Sequence, residues 1–202
     1  YIKYDIIATS PKIEEEILKD INSYTKNKNL IELGCAEGNF GERVDCKNYT
    51  GIDPYAISDH IIKEDAIEYL KKQGDHSIEV LLGKFCIHYF KREELFRLLR
   101  VKLKTDGVAL FYSISGETTK VFGDEKFNKL FMNNFRDTPH DYKMGIEYFV
   151  KEEQMENMVK NLCWTNHQHL TKDEVEYMCS RIPKTGNPLK MMVDINVVKF
   201  LV

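Results

Sequence analysis

The chain contains 202 residues, 43% of them hydrophobic, with a net charge of −3 and a pI of about 6.1. This length suffices for one well-buried core and is too short for two ordinary domains, so we expect a single domain over residues 1–202. The mildly acidic balance provides no general attraction to a polyanion and counts against long nucleic acids as partners. Five unevenly spaced cysteines indicate reduced thiols in the cytoplasm, and no apolar run approaches the length of a membrane span.

The first half of the chain alternates between helix and strand patterns. Ser10 and Pro11 are typical of a helix start, and the apolar side chains of Ile13, Ile17 and Ile21 share one face of that helix. Beyond it we predict strands over 29–33, 49–53, 61–65, 78–83 and 107–114, and helices over 38–45, 66–73 and 91–101. Such alternation indicates a parallel sheet with helices on both faces and a site along the edge where the strands end.

The second half is rich in aromatic residues and methionine. Phe127, Phe131 and Phe135 recur at helical spacing, which is more often a core stripe than a ligand-binding one. Ligand-binding insertions often follow the strands of such a sheet. We therefore predict that the segment at about 116–150 is a helical lid, as the alternative to a core stripe. The remaining predicted elements are a helix over 151–162, a strand over 164–170, a helix over 171–181 that Thr171 caps, and a final strand over 189–202.

The most informative stretch joins the first two strands. The sequence from Leu30 to Gly38 is Leu-Ile-Glu-Leu-Gly-Cys-Ala-Glu-Gly, a buried strand followed by a turn that contains Gly34 and Gly38. The next strand ends at Asp53, about 20 residues after the first glycine. In nucleoside-binding α/β sites the glycines let the ligand approach the backbone, and the later acid accepts hydrogen bonds from the ribose hydroxyls.

The charges around this turn indicate which nucleoside it accepts. Glu32 and Glu37 flank the turn and no lysine or arginine lies within it, so a phosphorylated nucleotide meets negative charge where it needs donors. Gly34, Ala36 and Asn39 also fail to form the G-x-G-x-x-G of a nicotinamide dehydrogenase. The turn therefore favours a phosphate-free, positively charged nucleoside.

These residues resemble the class I S-adenosylmethionine-dependent methyltransferases. Residues 32–38 are similar to their first motif, E/D-x-G-x-G-x-G, and Gly-Ile-Asp-Pro at 51–54 is similar to their second. The similarity continues through 63–66, the strand at 78–82 and the turn at 103–110. It implies an α/β Rossmann-like fold with a seven-stranded, mostly parallel sheet, helices on both faces and an antiparallel last strand inserted between the fifth and sixth.

One residue departs from the first motif. The usual middle glycine is Ala36, whose methyl group is tolerable if its φ angle stays below zero. That methyl group would crowd the methionine part of the cofactor. Ala36 therefore keeps open the alternative of a catalytically silent partner subunit with this fold.

The resemblance implies S-adenosylmethionine as the cofactor and gives matching positions their roles. Glu32 would orient the turn and the ammonium end of the cofactor, and Asp53 would accept from both ribose hydroxyls. Asp65 would bind the adenine amino group, with capping of the helix at 66–73 as its competing role. The implied cofactor-binding residues are Glu32, Gly34, Cys35, Ala36, Gly38, Asp53, Pro54, Asp65, Ala66 and Gly83.

The end of the fourth motif strand faces the transferring methyl group in this family. It lacks the Asp/Asn-Pro-Pro-Tyr/Phe of amino-methylating enzymes, and neither Gly83 nor Lys84 supplies the acid of a magnesium-dependent enzyme. Residues 84–90, Lys-Phe-Cys-Ile-His-Tyr-Phe, resemble a stretch of messenger-RNA cap guanine-N7 methyltransferases and also one of many small-molecule methyltransferases. Ser180 and Arg181 resemble a tail feature of the trans-aconitate type, so the local similarity does not select a subfamily.

Methyl transfer from a sulfonium is an in-line displacement that depends mainly on positioning in a dry pocket. We predict His88 and Lys84 as the catalytic candidates, and Phe85, His140 and Tyr142 as substrate contacts. His167 and His169 share a strand face without a nearby third ligand, so no metal is predicted.

The sequence thus predicts a cytoplasmic S-adenosylmethionine-dependent methyltransferase acting on a small or medium-sized acceptor. A cap guanine-N7-type RNA methyltransferase is the first alternative, and it requires a basic cleft at the strand ends. The non-catalytic partner subunit is the second. No membrane partner is expected, and the sequence assigns no oligomeric state.

Overall fold

The computed structural model describes residues 10–115, 123–132, 139–162 and 170–202. In this part of the chain the helices are α1 (Pro11–Thr25), α2 (Ala66–Lys72), α3 (Arg92–Lys102), α4 (Glu125–Met132), α5 (Glu152–Leu162) and α6 (Lys172–Arg181). The strands are β1 (Asn29–Leu33), β2 (Asn48–Ile52), β3 (Ile78–Lys84), β4 (Leu103–Ile114), β5 (Tyr142–Val150) and β6 (Leu189–Leu201). Single 3₁₀ turns occupy Gly41–Arg43 and Ile87–Tyr89.

The six described strands form one sheet in the order β2-β1-β3-β4-β6-β5. β1 pairs in parallel with both β2 and β3, and β3 pairs in parallel with β4. The predicted α/β class and mostly parallel sheet are therefore confirmed, and the last strand lies between β4 and β5 as the resemblance implied. Because β1, β2 and β3 run in the same direction, the loops that follow them meet at one edge.

Seven strands were expected and the described residues contain six, among which the predicted strand over 61–65 is missing. Only an isolated parallel bridge joins Ile62 to Ile52. Its hydrogen bonds run from the Ile62 amide to the Gly51 carbonyl, at 3.0 Å, and from the Asp53 amide to the Ile62 carbonyl, at 3.1 Å. Asp65 then caps α2, so the chain turns into a helix before a strand can extend.

The predicted helix over 38–45 is also wrong, since this segment contains only the 3₁₀ turn Gly41–Arg43. The short crossover must return along the full length of β1 before β2 begins at Asn48. A helix rises about 1.5 Å per residue and an extended chain about 3.3 Å, so extended residues just before β2 cover this distance better than a helix over 38–45 would. Val44 accordingly has an extended backbone, with ψ at 134°.

Residues 142–150 form strand β5, although the sequence predicted a helical lid over about 116–150. Gly145 and Glu147 are exposed, whereas Ile146 between them is buried, and Val150 is buried as well. This alternation of exposed and buried residues is typical of a strand and not of a helix. Aromatic residues are so frequent in this segment that the sequence does not reveal the alternation of buried and exposed positions. Phe135 and the predicted strand over 164–170 lie outside the described residues, apart from Leu170.

The other predicted elements match within a few residues. Thr171 caps α6 in a full capping box with Glu174, as expected from the Thr-x-x-Glu pattern. The predicted helices at 91–101 and 151–162 correspond to α3 and α5. Among the described residues, no helix has the length and apolar character needed to cross a membrane.

The chain divides into two compact units. One comprises Glu14–Ser113, His140–Tyr142 and Val197–Val202, and its core packs Leu33, Ile52, Leu81 and Phe111 of the sheet with apolar residues of α2 and α3. The other comprises Tyr1–Ile13, Ile114–Pro139 and Lys143–Asn196. In it, Phe127 and Phe131 of α4 stack with ring centroids 6.1 Å apart. The single domain with a lid stays a prediction.

Candidate functional site

Three loops converge at the edge where β1, β2 and β3 end, all within the unit that contains Glu14–Ser113. We call residues 34–40 the glycine turn, residues 53–60 the second loop and residues 85–91 the third loop. Each follows one of the parallel strands, so the topology alone brings them together. Every predicted cofactor-binding residue except Glu32, Asp65, Ala66 and Gly83 belongs to the first two of these loops.

The glycine turn has an alternating left-handed backbone. The φ angles of Gly34, Ala36 and Gly38 are +64°, +51° and +81°. Gly34 is required for a second reason, because a Cβ atom there would lie 2.9 Å from the Cβ of Cys86. The expectation that Ala36 would keep φ below zero is therefore wrong, and the strain of a left-handed alanine is about 1–2 kcal/mol.

Asp53 holds the glycine turn in this conformation. The Ala36 amide donates to its Oδ2 at 2.9 Å, and the Tyr55 amide donates to its Oδ1 at 2.8 Å. The side chain is largely covered, with a relative exposure of 9% for the residue. Each carboxylate oxygen can still accept another donor, so Asp53 retains the capacity to bind hydroxyl groups.

Glu32 lies beneath the glycine turn and is almost fully buried. The Tyr49 hydroxyl donates to its Oε2 at 2.8 Å, and the Gly41 amide also donates to the carboxylate. Burial raises the pKa of Glu32 to about 7, although the Tyr49 hydrogen bond and the charge of Lys84 act in the opposite direction. Burial, together with the Glu32 charge, likewise raises the pKa of the neighbouring Cys35 thiol to about 12.

Lys84, one of the two predicted catalytic residues, forms an ion pair with α1. Its Nζ lies 2.6 Å from Oε1 of Glu14, and Nη1 of Arg43 lies 2.9 Å from Oε2 of the same carboxylate. The Lys84 ammonium also lies 4.3 Å from the centroid of the Phe40 ring at the end of the glycine turn. A charged, paired ammonium is suited to electrostatic work and not to accepting a proton.

The third loop has a strained backbone at its start. Phe85 has a φ of +58°, and its amide donates to the Tyr112 carbonyl at 2.8 Å. Gly83 just before it cannot carry a side chain, since a Cβ atom would lie 2.4 Å from the Phe111 ring. His88, the other predicted catalytic residue, is exposed and its ring centroid lies 4.1 Å from that of Tyr89.

The remaining predicted cofactor residues lie around the second loop and α2. Asp65 is the N-cap of α2, where its Oδ1 accepts from the Ile67 amide at 2.9 Å and the Glu68 amide at 3.1 Å. Both bonds go to one oxygen, so the carboxylate has capacity for another donor at Oδ2. Pro54 is exposed, and Ala66 is buried as the first residue of α2.

The two predicted substrate contacts outside the loops have different surroundings. His140 is exposed, whereas the Tyr142 hydroxyl donates to Oδ2 of Asp20 on α1 at 2.7 Å. The buried Tyr112 hydroxyl donates to the same oxygen at 2.7 Å. Burial and the Asp20 hydrogen bond raise the pKa of Tyr142, so this phenol is a structural donor. The substrate roles of His140, Tyr142 and Phe85 stay predictions.

The sequence interpretation missed residues whose contacts depend on tertiary structure. Glu14 was visible only as an acid in the first turn of α1, and Tyr49 only as an aromatic residue two positions before Gly51. Glu37 was noted as a charge, but its contacts with the second loop were not foreseen. Within the described ranges, no group of three or more histidine, cysteine, aspartate or glutamate side chains forms a metal site.

A cavity of about 430 Å³ lies at the opposite edge of the sheet, where β3 and β4 begin. Lys28, His76, Glu79 and Lys104 line it, and Lys104 pairs with Glu79 at 3.0 Å. Glu79 also accepts from the Asn29 amide. None of the predicted cofactor-binding, catalytic or substrate-contacting residues lines this cavity, so we assign the candidate site to the glycine turn.

Several solved structures share this fold. A proposed type II methyltransferase from Anaeromyxobacter dehalogenans is similar with a TM-score of 0.62 at 11% identity, over 91% of this chain and 94% of its own. A proposed methyltransferase from Bacillus halodurans has a TM-score of 0.54 at 11% identity, over 91% and 96% of the two chains. One from an antibiotic-biosynthesis pathway of Anabaena variabilis has a TM-score of 0.53 at 11% identity, over 94% and 98%.

These similarities establish that the chain has the methyltransferase fold that the motifs indicated. No family model matches the chain, and no curated protein matches it in sequence.

Proposed function

We propose that the protein is a cytoplasmic S-adenosylmethionine-dependent methyltransferase that acts on a small or medium-sized acceptor. The observation that carries this proposal is the Asp53 carboxylate held directly against the glycine turn, 2.9 Å from the Ala36 amide. A carboxylate in this position next to a left-handed glycine-rich backbone suits a ribose diol. The methyltransferase fold and the motif positions support the same conclusion.

The residues present fit a sulfonium nucleoside. Gly34 and Gly38 allow the left-handed turn that places the Ala36 amide against Asp53, and Asp53 would hold the ribose hydroxyls. Glu32, buried beneath the turn, offers a carboxylate on the side where the motif resemblance places the ammonium end of the cofactor. S-adenosylmethionine, when bound, supplies an electrophilic methyl group.

The chain contributes orientation and electrostatics to the transfer step. Gly83, Lys84 and Phe85 end the strand that faces the acceptor in this fold, and the ion pair with Glu14 holds the Lys84 ammonium in a fixed position. We therefore assign Lys84 an electrostatic role and leave proton acceptance, where an acceptor needs it, to His88. Orientation in a closed site supplies most of the acceleration that such a displacement requires.

Lys84 also bears on the charge of the acceptor. Its ammonium shares the Glu14 carboxylate with the guanidinium of Arg43, so this cluster keeps one net positive charge. Lys63, close to the second loop, pairs with Asp59. A capped RNA would need a basic surface that spans several phosphates, whereas the chain carries a net charge of −3, and this balance favours a small acceptor instead.

One observation favours the second candidate, a catalytically silent subunit of the same fold. Ala36 is strained at φ +51°, and its methyl group occupies the turn where the family has glycine. A protein that no longer bound the cofactor would be free of selection against this methyl group. Cofactor binding therefore separates the two candidates.

The experiment is transfer of a labelled methyl group from S-adenosylmethionine into a panel of small metabolites, with capped RNA as a separate arm. The proposal predicts label in at least one small acceptor and none in the RNA. Label only in the capped RNA would replace the proposal with the cap-type activity. Failure of the protein to bind S-adenosylhomocysteine, together with no transfer to any acceptor, would favour the silent subunit.

A further inference from the structure

Glu37 connects the glycine turn to the second loop. Its Oε1 accepts from the Ile57 amide at 3.0 Å, its Oε2 accepts from the Ser58 amide at 2.9 Å, and the Ser58 hydroxyl donates to Oε2 as well. Asp53 makes the reverse connection, from the second loop to the Ala36 amide of the glycine turn. Two carboxylates thus join the two loops in opposite directions.

The loop that Glu37 holds exposes two large apolar side chains. Tyr55 and Ile57 have relative exposures of 76% and 78%, directly after Asp53. Between them, Ala56 is buried in a small cluster with Cys35 and Ile61. Ala56 therefore anchors the loop from below while Tyr55 and Ile57 face solvent.

Exposed apolar side chains on a well-anchored loop are suited to a ligand that covers them. The glycine turn and Asp53 adjoin this surface, and a planar nucleobase is the apolar part of the nucleoside that the proposed function requires. The hydrogen bonds of Glu37 determine where the backbone of Ile57 lies, and Asp53 determines where that of Tyr55 lies.

We infer that Glu37 is a positioning residue for nucleoside binding, which keeps Ile57 in place for the base without itself contacting the ligand. This inference rests on the proposed function. Glu37 acts through the second loop, so its removal should weaken binding of the nucleoside half of the cofactor and leave the amino-acid half unaffected.

The carboxylate is well suited to this role because it stays ionised. The Ser58 hydroxyl and the Ile57 and Ser58 amides hold the pKa of Glu37 below its usual range. A glutamine at this position keeps the size but directs one NH₂ group at amide donors. Glu37→Gln should therefore reproduce most of the effect of Glu37→Ala while preserving packing.

The test compares dissociation constants of two ligands by calorimetry. S-adenosylhomocysteine contains both halves of the cofactor, and 5′-methylthioadenosine contains the nucleoside half without the amino acid. We expect Glu37→Ala and Glu37→Gln to weaken binding of both ligands by the same factor, about tenfold for the loss of the charge-assisted hydrogen bonds from Ile57 and Ser58. Asp59→Ala removes an exposed carboxylate from the same loop and should change either constant less than twofold.

A double-mutant cycle separates positioning from general stabilisation. Ile57→Ala should weaken S-adenosylhomocysteine binding in the wild-type background and have a smaller effect in the Glu37→Gln background, because the isoleucine is then already displaced. Purely additive effects, or unchanged affinity in Glu37→Gln, would overturn the inference while the proposed function stands. Failure of the wild-type protein to bind either ligand would overturn the proposed function and the inference with it.

Discussion

Replacing Ala36 with glycine should stabilise the protein, which is unusual for a glycine substitution. Ala36 has a φ of +51°, a conformation that costs a non-glycine residue about 1–2 kcal/mol. Glycine removes this strain but adds about 0.5–1 kcal/mol of conformational entropy to the unfolded chain. The net gain in the free energy of unfolding is therefore about 0.5–1 kcal/mol, or about 1–4 °C in Tm for a chain of this size.

The measurement is urea and thermal unfolding of Ala36→Gly beside Ala66→Gly. Ala66 is the first residue of α2, where glycine relieves no strain and should lower the free energy of unfolding by about 0.5–1 kcal/mol. The Ala36 amide that donates to Asp53 is retained in the glycine variant. A loss of stability in Ala36→Gly equal to that in Ala66→Gly would refute the argument from backbone strain.

Three further predictions concern the charges of the unit that contains the candidate site. Because the folded pKa of Glu32 is raised to about 7, its contribution to stability is fully present below its unfolded pKa and is lost as the pH rises through 7. In urea titrations, the free energy of unfolding of the wild type should fall by about 3 kcal/mol relative to that of Glu32→Gln between pH 4.5 and 8. Free energies of unfolding that change in parallel with pH in the two proteins would contradict this. Asp20→Ala should lower the free energy of unfolding by about 2–3 kcal/mol, because the buried Tyr112 hydroxyl loses its acceptor, whereas the exposed Glu15→Ala should change it by less than about 0.5 kcal/mol. Lys84→Met should lower kcat without changing the pH at which activity is half-maximal, and Lys84→Arg should retain most activity; a shifted pH profile in Lys84→Met would assign proton transfer to this residue.

Much of the central sheet was predictable because its signals are local. β1, β3 and β4 are short apolar runs bounded by polar turns, and their parallel arrangement follows from alternation with helices. The proximity of Asp53 to the glycine turn follows from the same topology, because the glycine turn follows β1, Asp53 follows β2, and these two strands are parallel neighbours. These inferences need only the spacing of apolar residues along the sequence and the handedness of the crossovers.

The predictions failed where the structure depends on how segments that are distant in the sequence are placed in space. The pattern over 38–45 could not reveal how far the chain must travel before β2, and the pattern over 61–65 could not reveal that Ile62 alone would pair with β2. The Lys84–Glu14 pair joins residues 70 positions apart, and its formation depends on where α1 packs. The hydrogen bonds of Glu37 depend on the conformation of the second loop, which no pattern in the sequence encodes.

The central claim is that Asp53 and the glycine turn form a site for a sulfonium nucleoside. Calorimetric titration of S-adenosylhomocysteine into wild type, Asp53→Asn and the matched loop variant Asp59→Asn tests it most directly. We predict saturable binding by wild type and Asp59→Asn, and weakening by about 1–3 kcal/mol in Asp53→Asn, where charge-assisted hydrogen bonds to the ribose are lost. Equal affinity of wild type and Asp53→Asn, or no binding by the wild-type protein, would contradict the assignment.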